Sequence, residues 1–388
     1  MAKFFQAFRS NLTPSFVLNV LLLIALGVTI WMLRDLKQRF ETLEQKVDSS
    51  SSPRNETSSN DGHISVSNPA NGAMVLTNRI NIEGEAEDNQ IISLLINDQF
   101  EAVTLPRKGK FQFTEVPVKR GNNTLTVKAM TADGSLTALE KIDFEYNNPT
   151  VNFLSRNVNR GDRTEPKIAI TFDGGYMANA SAEILDILKE SNVKCTLFLT
   201  GLFIQNHPDM VRRMVEEGHE IGNHTWSHPH LTTFVENGEH LTRETVTRQF
   251  LQKELNDTVD AFVACTGTKM APFWRAPFGE HNLEIREWAA ELGYRHIGWT
   301  VGDGWDNHMD TMDWVADTTS SAYYNSDEIV EKVLNFGNGS DFEANGAIVI
   351  MHLGTLRDKD LPHKKLPKMI NGLNEKGYEL VSVSELLQ

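Results

Sequence analysis

From Lys167 to the C terminus, short apolar runs alternate with amphipathic helical stretches, and this alternation constrains the fold more than any other feature. Residues 167–172, 193–199, 220–224, 294–301, 347–352 and 378–381 read as strands. Apolar spacing predicts helices over 178–190, 208–217, 244–263 and 282–292, with Gly218 and Gly293 closing two of them. Repeated β-α units demand a parallel sheet, and this many of them point to a barrel. Active-site groups of such folds sit where strands end. Asp173, His224, Arg275 and His352 each stand at the end of an apolar segment.

The preceding stretch, 63–148, has a different period. About seven short alternating segments are separated by turn signals such as Asn71-Gly72, Asn97-Asp98 and Asp133-Gly134. That pattern predicts a small antiparallel sandwich, and it resembles bacterial immunoglobulin-like domains. It carries no cluster of catalytic residue types, which leaves a spacer or a wall-binding module as its two readings.

Residues 16–33, FVLNVLLLIALGVTIWML, are uncharged and almost wholly apolar. About 18 residues at ~1.5 Å each span roughly 27 Å, close to a bilayer core. The run passes straight into Arg34 without a small-residue cleavage site, so it reads as an uncleaved signal anchor, with cleavage as the alternative. Basic residues flank both sides, so the positive-inside rule does not orient it. Residues 34–47 carry a helical apolar spacing suited to weak self-association, and 49–62 form a polar linker. The expected location is a single pass in the cytoplasmic membrane with the C-terminal unit outside. A net charge of −15 argues against a nucleic-acid partner. Two cysteines, Cys195 and Cys265, cannot build a disulfide framework or a thiolate metal site.

Three ordered motifs carry the chemistry: Thr171-Phe172-Asp173-Gly174-Gly175, His224-Thr225-Trp226-Ser227-His228 and Arg275-Ala276-Pro277-Phe278-Gly279, followed by His352. Histidines four apart suit a divalent cation, with zinc the expectation for imidazole donors. A carboxylate at a strand end suits a general base, and a lone late histidine suits a general acid. That set serves hydrolysis of an amide or ester.

On these residues, with Gly218 to Pro229, Arg275 to Glu280 and Ile350 to His352, the segment 167–386 resembles the NodB-homology polysaccharide deacetylases (carbohydrate esterase family 4). The resemblance implies a distorted (β/α) barrel of about seven strands and metal-dependent removal of acetyl groups from a polysaccharide such as peptidoglycan. It implies Asp173 as base, His224 and His228 as metal ligands, and Arg275 as the partner that orients the base. It further implies the Phe278 amide as oxyanion donor and His352 as acid. Asp303 or Asp306 is expected to tune His352, and Trp299 and Trp305 to stack on sugars or fill core. The chain departs from the family at Gly174, where a second aspartate usually binds the metal. A catalytically silent polysaccharide-binding scaffold and an O-deacetylase remain the alternatives.

Overall fold

The computed structural model describes residues 63–302 and 307–388. The expected membrane span 16–33, the helix 34–47 and the linker 49–62 lie outside those residues. Among the described residues no helix is long and apolar enough to cross a membrane.

The N-terminal unit contains strands β1 (Ile64–Asn68), β2 (Met74–Val75), β3 (Arg79–Ala86), β4 (Ile91–Ile96), β5 (Gln99–Thr104), β6 (Lys110–Pro117), β7 (Gly121–Met130) and β8 (Leu136–Tyr146). They form two sheets, ordered β1-β3-β6 and β2-β8-β7-β4-β5. Strict alternation along β3 buries Ile80, Ile82, Gly84 and Ala86 and exposes the residues between them from Asn81 on. Ile82, Ile92, Leu94, Leu125 and Val127 meet Phe111, Phe113 and Phe144 in one shared core. Gly84 is required there, since a Cβ would stand 2.2 Å from the Ser65 carbonyl oxygen and 2.3 Å from the Phe111 ring.

The C-terminal unit is an α/β fold on a curled parallel sheet. Its strands are β9 (Lys167–Gly174), β10 (Thr196–Leu199), β11 (Glu220–Asn223), β12 (Phe273–Trp274), β13 (Arg295–His296), β14 (Ala347–His352) and β15 (Glu379–Leu380). The order is β13-β12-β11-β10-β9-β14, with β15 also on β9. Among the described residues no continuous ladder joins β13 to β14. Val158 bridges Ile297, Arg160 bridges Ala347, and the Thr300 amide donates to the Ile348 carbonyl at 3.0 Å. The strand expected over 294–301 shrinks to Arg295–His296 for this reason, because the chain after Ile297 leaves the β12 ladder to bond Val158 and Ile348.

The two-residue period of β9 sorts its side chains. Ile168, Ile170 and Phe172 pack outward against the helices Ser181–Glu190 and Leu366–Glu375, within a cluster that includes Leu199, Phe203 and Leu353. Ala169 packs inward with Phe198, Ile297 and Ile348. Thr171 and Asp173 share the inward face with Ala169, and Gly174 falls on the outward one. Helix Arg248–Thr266 starts later than the apolar spacing suggests, because the Thr247 side chain caps the Phe250 amide at 3.1 Å. It stops at Gly267, whose φ is +71°. Helices Ser326–Leu334 and Leu366–Glu375 were not apparent from the spacing.

Candidate active site

The ladder register places Asp173 of β9 directly beside His352 of β14, with Phe198 of β10 on its other flank. Adjacent strands lie about 4.8 Å apart, so strand ends alone bring this acid and this imidazole together. Asp173 is buried, and its Oδ1 accepts from Arg275 Nη1 at 2.7 Å while Oδ2 lies 3.5 Å from His224 Nε2. Burial would raise its carboxyl, but the charge of Arg275, aided by His224 and His352, outweighs that and holds it below the ordinary range.

Arg275 is fully buried, and each of its three guanidinium nitrogens donates a hydrogen bond. Nη1 also donates to Thr171 Oγ1 at 2.9 Å, Nε to the Ile297 carbonyl at 3.1 Å and Nη2 to the Gly298 carbonyl at 3.0 Å. Its guanidinium stacks 4.2 Å from the Phe198 ring centroid. Thr171 completes the frame by donating to the Val349 carbonyl at 2.6 Å. The guanidinium is therefore held as a rigid fork against one carboxylate oxygen.

His224 donates from Nδ1 to the Arg275 carbonyl at 2.9 Å, which leaves the Nε2 lone pair facing Asp173. The His228 ring stands edge-on to it at 4.8 Å between centroids. The φ of His228 is +57° and that of Thr225 is +65°, so the loop carries two left-handed non-glycine residues. Glu254 secures it by accepting from the Trp226 and Ser227 amides at 3.0 and 2.8 Å. Burial, with the neighbouring His224, lowers His228 to about 3, and burial also lowers His224. Both shifts favour the neutral form of the ring, the form that ligates a cation.

The chemistry of these donors fits a cation held by two imidazoles with Asp173 alongside. A third protein ligand at position 174 does not fit. A Cβ on Gly174 would meet Leu199 Cδ2 at 2.8 Å, Leu353 Cδ1 at 3.1 Å and Phe203 Cδ2 at 3.2 Å, all on the apolar side of the strand. Among the described residues no group of three or more His, Cys, Asp or Glu side chains is arranged to hold a metal ion.

His352 donates from Nδ1 to Asp313 Oδ1 at 2.7 Å, and its amide donates to Asp313 Oδ2 at 2.9 Å. Burial would lower the imidazole, but the Asp313 charge and hydrogen bond raise it to about 9. The carboxylate on His352 is thus Asp313, which corrects the assignment of that role to Asp303 or Asp306. Asp303, Trp305 and Asp306 lie outside the described residues. The chain pairs on either side of them, Val301 bridging His308 and the Gly302 amide donating to the Asn307 carbonyl at 2.7 Å. The Asp-rich segment that backs His352 lies further on, at Asp310-Thr311-Met312-Asp313-Trp314. Two aspartates three apart before a tryptophan were the signal that could have found it.

These groups open into one cleft of about 570 Å³, lined by Asp173, His224, His228, Phe278, Trp299 and His352. Trp314 also lines it and is half exposed. Trp299 packs so closely on Gly279 that a Cβ there would lie 2.7 Å from the indole. Phe278 sits at a turn with φ +57°, and the next two amides, Gly279 and Glu280, bond back to Ala276 and Pro277. His230, which the sequence left without a role, lines the same cleft and stacks on Phe278. A larger groove of about 860 Å³ belongs to the N-terminal unit and includes none of the motif residues. Cys195 and Cys265 are free thiols.

A parallel-sheet unit with an oriented carboxylate, two neutral imidazoles and a carboxylate-backed imidazole at its strand ends has the architecture of a hydrolase. A family model described as polysaccharide deacetylase matches residues 160–297. A peptidoglycan-N-acetylglucosamine deacetylase of Bacillus cereus is 30% identical over 228 residues, covering 59% of this chain and 70% of that protein. The peptidoglycan-N-acetylglucosamine deacetylase PgdA of Listeria monocytogenes is 34% identical over 230 residues, 58% of this chain, and the chain spans only 39% of that relative's length. A pseudoenzyme of family 4 carbohydrate esterases from Bacillus anthracis aligns at a TM-score of 0.49 and 24% identity, covering 64% of this chain and 75% of that one. The chain belongs to the polysaccharide deacetylase family, hydrolases of carbon–nitrogen bonds whose deacetylases are generally metal-dependent.

Proposed function

We propose that this protein removes N-acetyl groups from an amino-sugar polysaccharide, with peptidoglycan the first substrate to test, since that is the polymer the relatives are named for. The observation that carries the proposal is Asp173, fixed between Arg275 and His224 and paired in register with His352. His224 and His228 would hold a divalent cation, zinc by donor type, which when bound supplies acidity to water and polarises a carbonyl. Asp173 takes the proton of the attacking water, and Arg275 keeps that carboxylate ionised and aimed. The Phe278 amide donates to the developing oxyanion. His352, whose Nδ1 proton stays on Asp313, delivers the proton on Nε2 to the departing nitrogen. Trp299 and Trp314 bound the cleft around the acetamide.

The N-terminal apolar run would anchor the protein in the cytoplasmic membrane, single-pass, with the catalytic unit outside and the linker giving it reach. The two-sheet unit would serve as an immunoglobulin-like spacer, and residues 34–47 as a weak self-association seam. Acetate release from an N-acetylglucosamine polymer and from peptidoglycan, by the wild type and by Asp173→Asn, with and without chelator, tests the activity. Chelator-insensitive release would overturn the metal-assisted route, and no release from any acetylated glycan would overturn the activity.

The apolar surroundings of Gly174 favour one second reading. With a protein ligand missing, the fold would bind polysaccharide without turning it over. The intact Asp173–Arg275 and His352–Asp313 pairs weigh against it, because binding alone does not need them. An O-acetyl ester would pass through the same groups, and a substrate panel separates the two bonds.

A further inference from the structure

The wall of the cleft that carries Phe278 contains a second imidazole–carboxylate pair with no part in the proton transfers above. Glu280 is buried, with 1% of its surface exposed, and accepts three hydrogen bonds. His230 Nδ1 donates to Oε1 at 2.7 Å, and the Leu231 and Thr232 amides donate to Oε2 at 2.9 and 3.0 Å. One carboxylate therefore fixes both the 230–232 backbone and the orientation of the His230 ring. With Nδ1 committed, Nε2 is the free edge, on a side chain still 41% exposed at the cleft.

Phe278 lies flat on that ring, 4.0 Å between centroids and 9° from parallel. Its other close ring is His228, edge-on at 4.4 Å. Phe278 nonetheless remains 55% exposed, an unusual state for a phenylalanine in the unfavourable left-handed backbone conformation. An immobilised aromatic face beside a fixed hydrogen-bonding edge matches a pyranose, which has one apolar C–H face and a rim of polar substituents.

We propose that Phe278 and His230 form a saccharide subsite next to the reacting sugar, with Glu280 as the positioning residue. The neighbouring pyranose of an amino-sugar polymer packs its C–H face on Phe278, and His230 Nε2 hydrogen-bonds to a polar group on its rim. The proposal rests on the amino-sugar polymer reading and adds that the protein recognises more than one sugar unit. Because Glu280 orients His230 and His230 supports Phe278, the subsite is built before the ligand arrives, which limits the ordering cost of binding.

Calorimetric titration of the full chain with a β-1,4-linked N-acetylglucosamine tetramer and with the monomer provides the test. The wild type binds the tetramer at least about tenfold more tightly than the monomer. His230→Ala weakens tetramer binding by about tenfold, the scale of one lost hydrogen bond and its supported stack, and weakens monomer binding by less than about twofold. His230→Gln, which keeps a polar edge, restores part of the loss and guards against a folding defect, monitored by circular dichroism. Equal weakening of both ligands, or no effect on the tetramer, overturns the subsite. Acetate release measured on the same samples separates the two proposals. Tetramer binding without acetate release refutes the deacetylase activity and leaves the subsite standing, whereas acetate release without any length preference in binding does the reverse.

Discussion

Replacing Asp313 with asparagine removes the charge that holds the His352 proton while preserving its shape. The ordinary value for histidine is 6.5; burial pushes His352 down, and Asp313, with smaller help from Asp173 and Asp310, more than reverses this, to about 9. That gap, at roughly 1.36 kcal/mol per pH unit, corresponds to roughly 3 kcal/mol of favourable interaction with the protonated ring. The side chain is 26% exposed, so solvent screening takes only a modest share. Since the folded-state value lies above the unfolded one, this stabilisation is fully present below pH 6.5 and disappears as pH rises through about 9. Asparagine still accepts the Nδ1 proton but carries no charge, so burial returns the ring to the neutral form. Urea unfolding of chelator-treated protein at pH 6 and pH 9.5 reads this out. The wild type loses about 3 kcal/mol more than Asp313→Asn across that interval, while all other titrating groups cancel in the difference. On the metal-loaded enzyme, the alkaline limb of the rate profile moves to lower pH in the variant. Identical alkaline losses of stability in the two proteins would refute the pairing of Asp313 with His352 as the source of the raised value.

Arg275→Met strands Asp173 and two carbonyls in a dry site, and urea unfolding should show a loss of about 3–5 kcal/mol. Asp173→Asn should lower acetate release by about 10²–10⁴-fold while metal analysis still finds the cation, and a near-normal rate would reject it as the base. His228→Ala removes one of two imidazole donors and should leave the purified protein without stoichiometric metal. Gly174→Ala drives a methyl group toward Leu199 and Leu353 and should destabilise the fold by about 1–3 kcal/mol in the same urea assay, with a neutral result showing that those leucines yield freely.

Much of the C-terminal unit is legible in one dimension because its signals are local. The run 347–352 was read at its observed boundaries, Gly218 and Gly293 adopt the positive φ of helix-ending glycines, and Asn282 caps the helix Leu283–Ala290. The four motif residues were visible because strand ends are where apolar runs stop. Helix Arg248–Thr266 was misplaced at its start because its boundary depends on one threonine side chain rather than on hydrophobic period. The Asp313 partnership was missed because Asp310-Thr311-Met312-Asp313 comes well after Trp299 in the sequence, and spacing carries no information about which later acid meets His352. His230 looked inert because its significance lies in Glu280 and Phe278, about fifty residues away.

Residue order by itself settled the parallel α/β architecture and which side chains gather at the strand ends, since both follow from periodicity and from the rule that an apolar run ends at a surface. Tertiary structure decided the rest: that Asp173 faces Arg275 while Gly174 faces leucines, that Asp313 backs His352, and that His230 supports Phe278. Each of those contacts joins distant segments, and only strand register and packing bring such segments within the few ångströms over which a hydrogen bond or a charge acts.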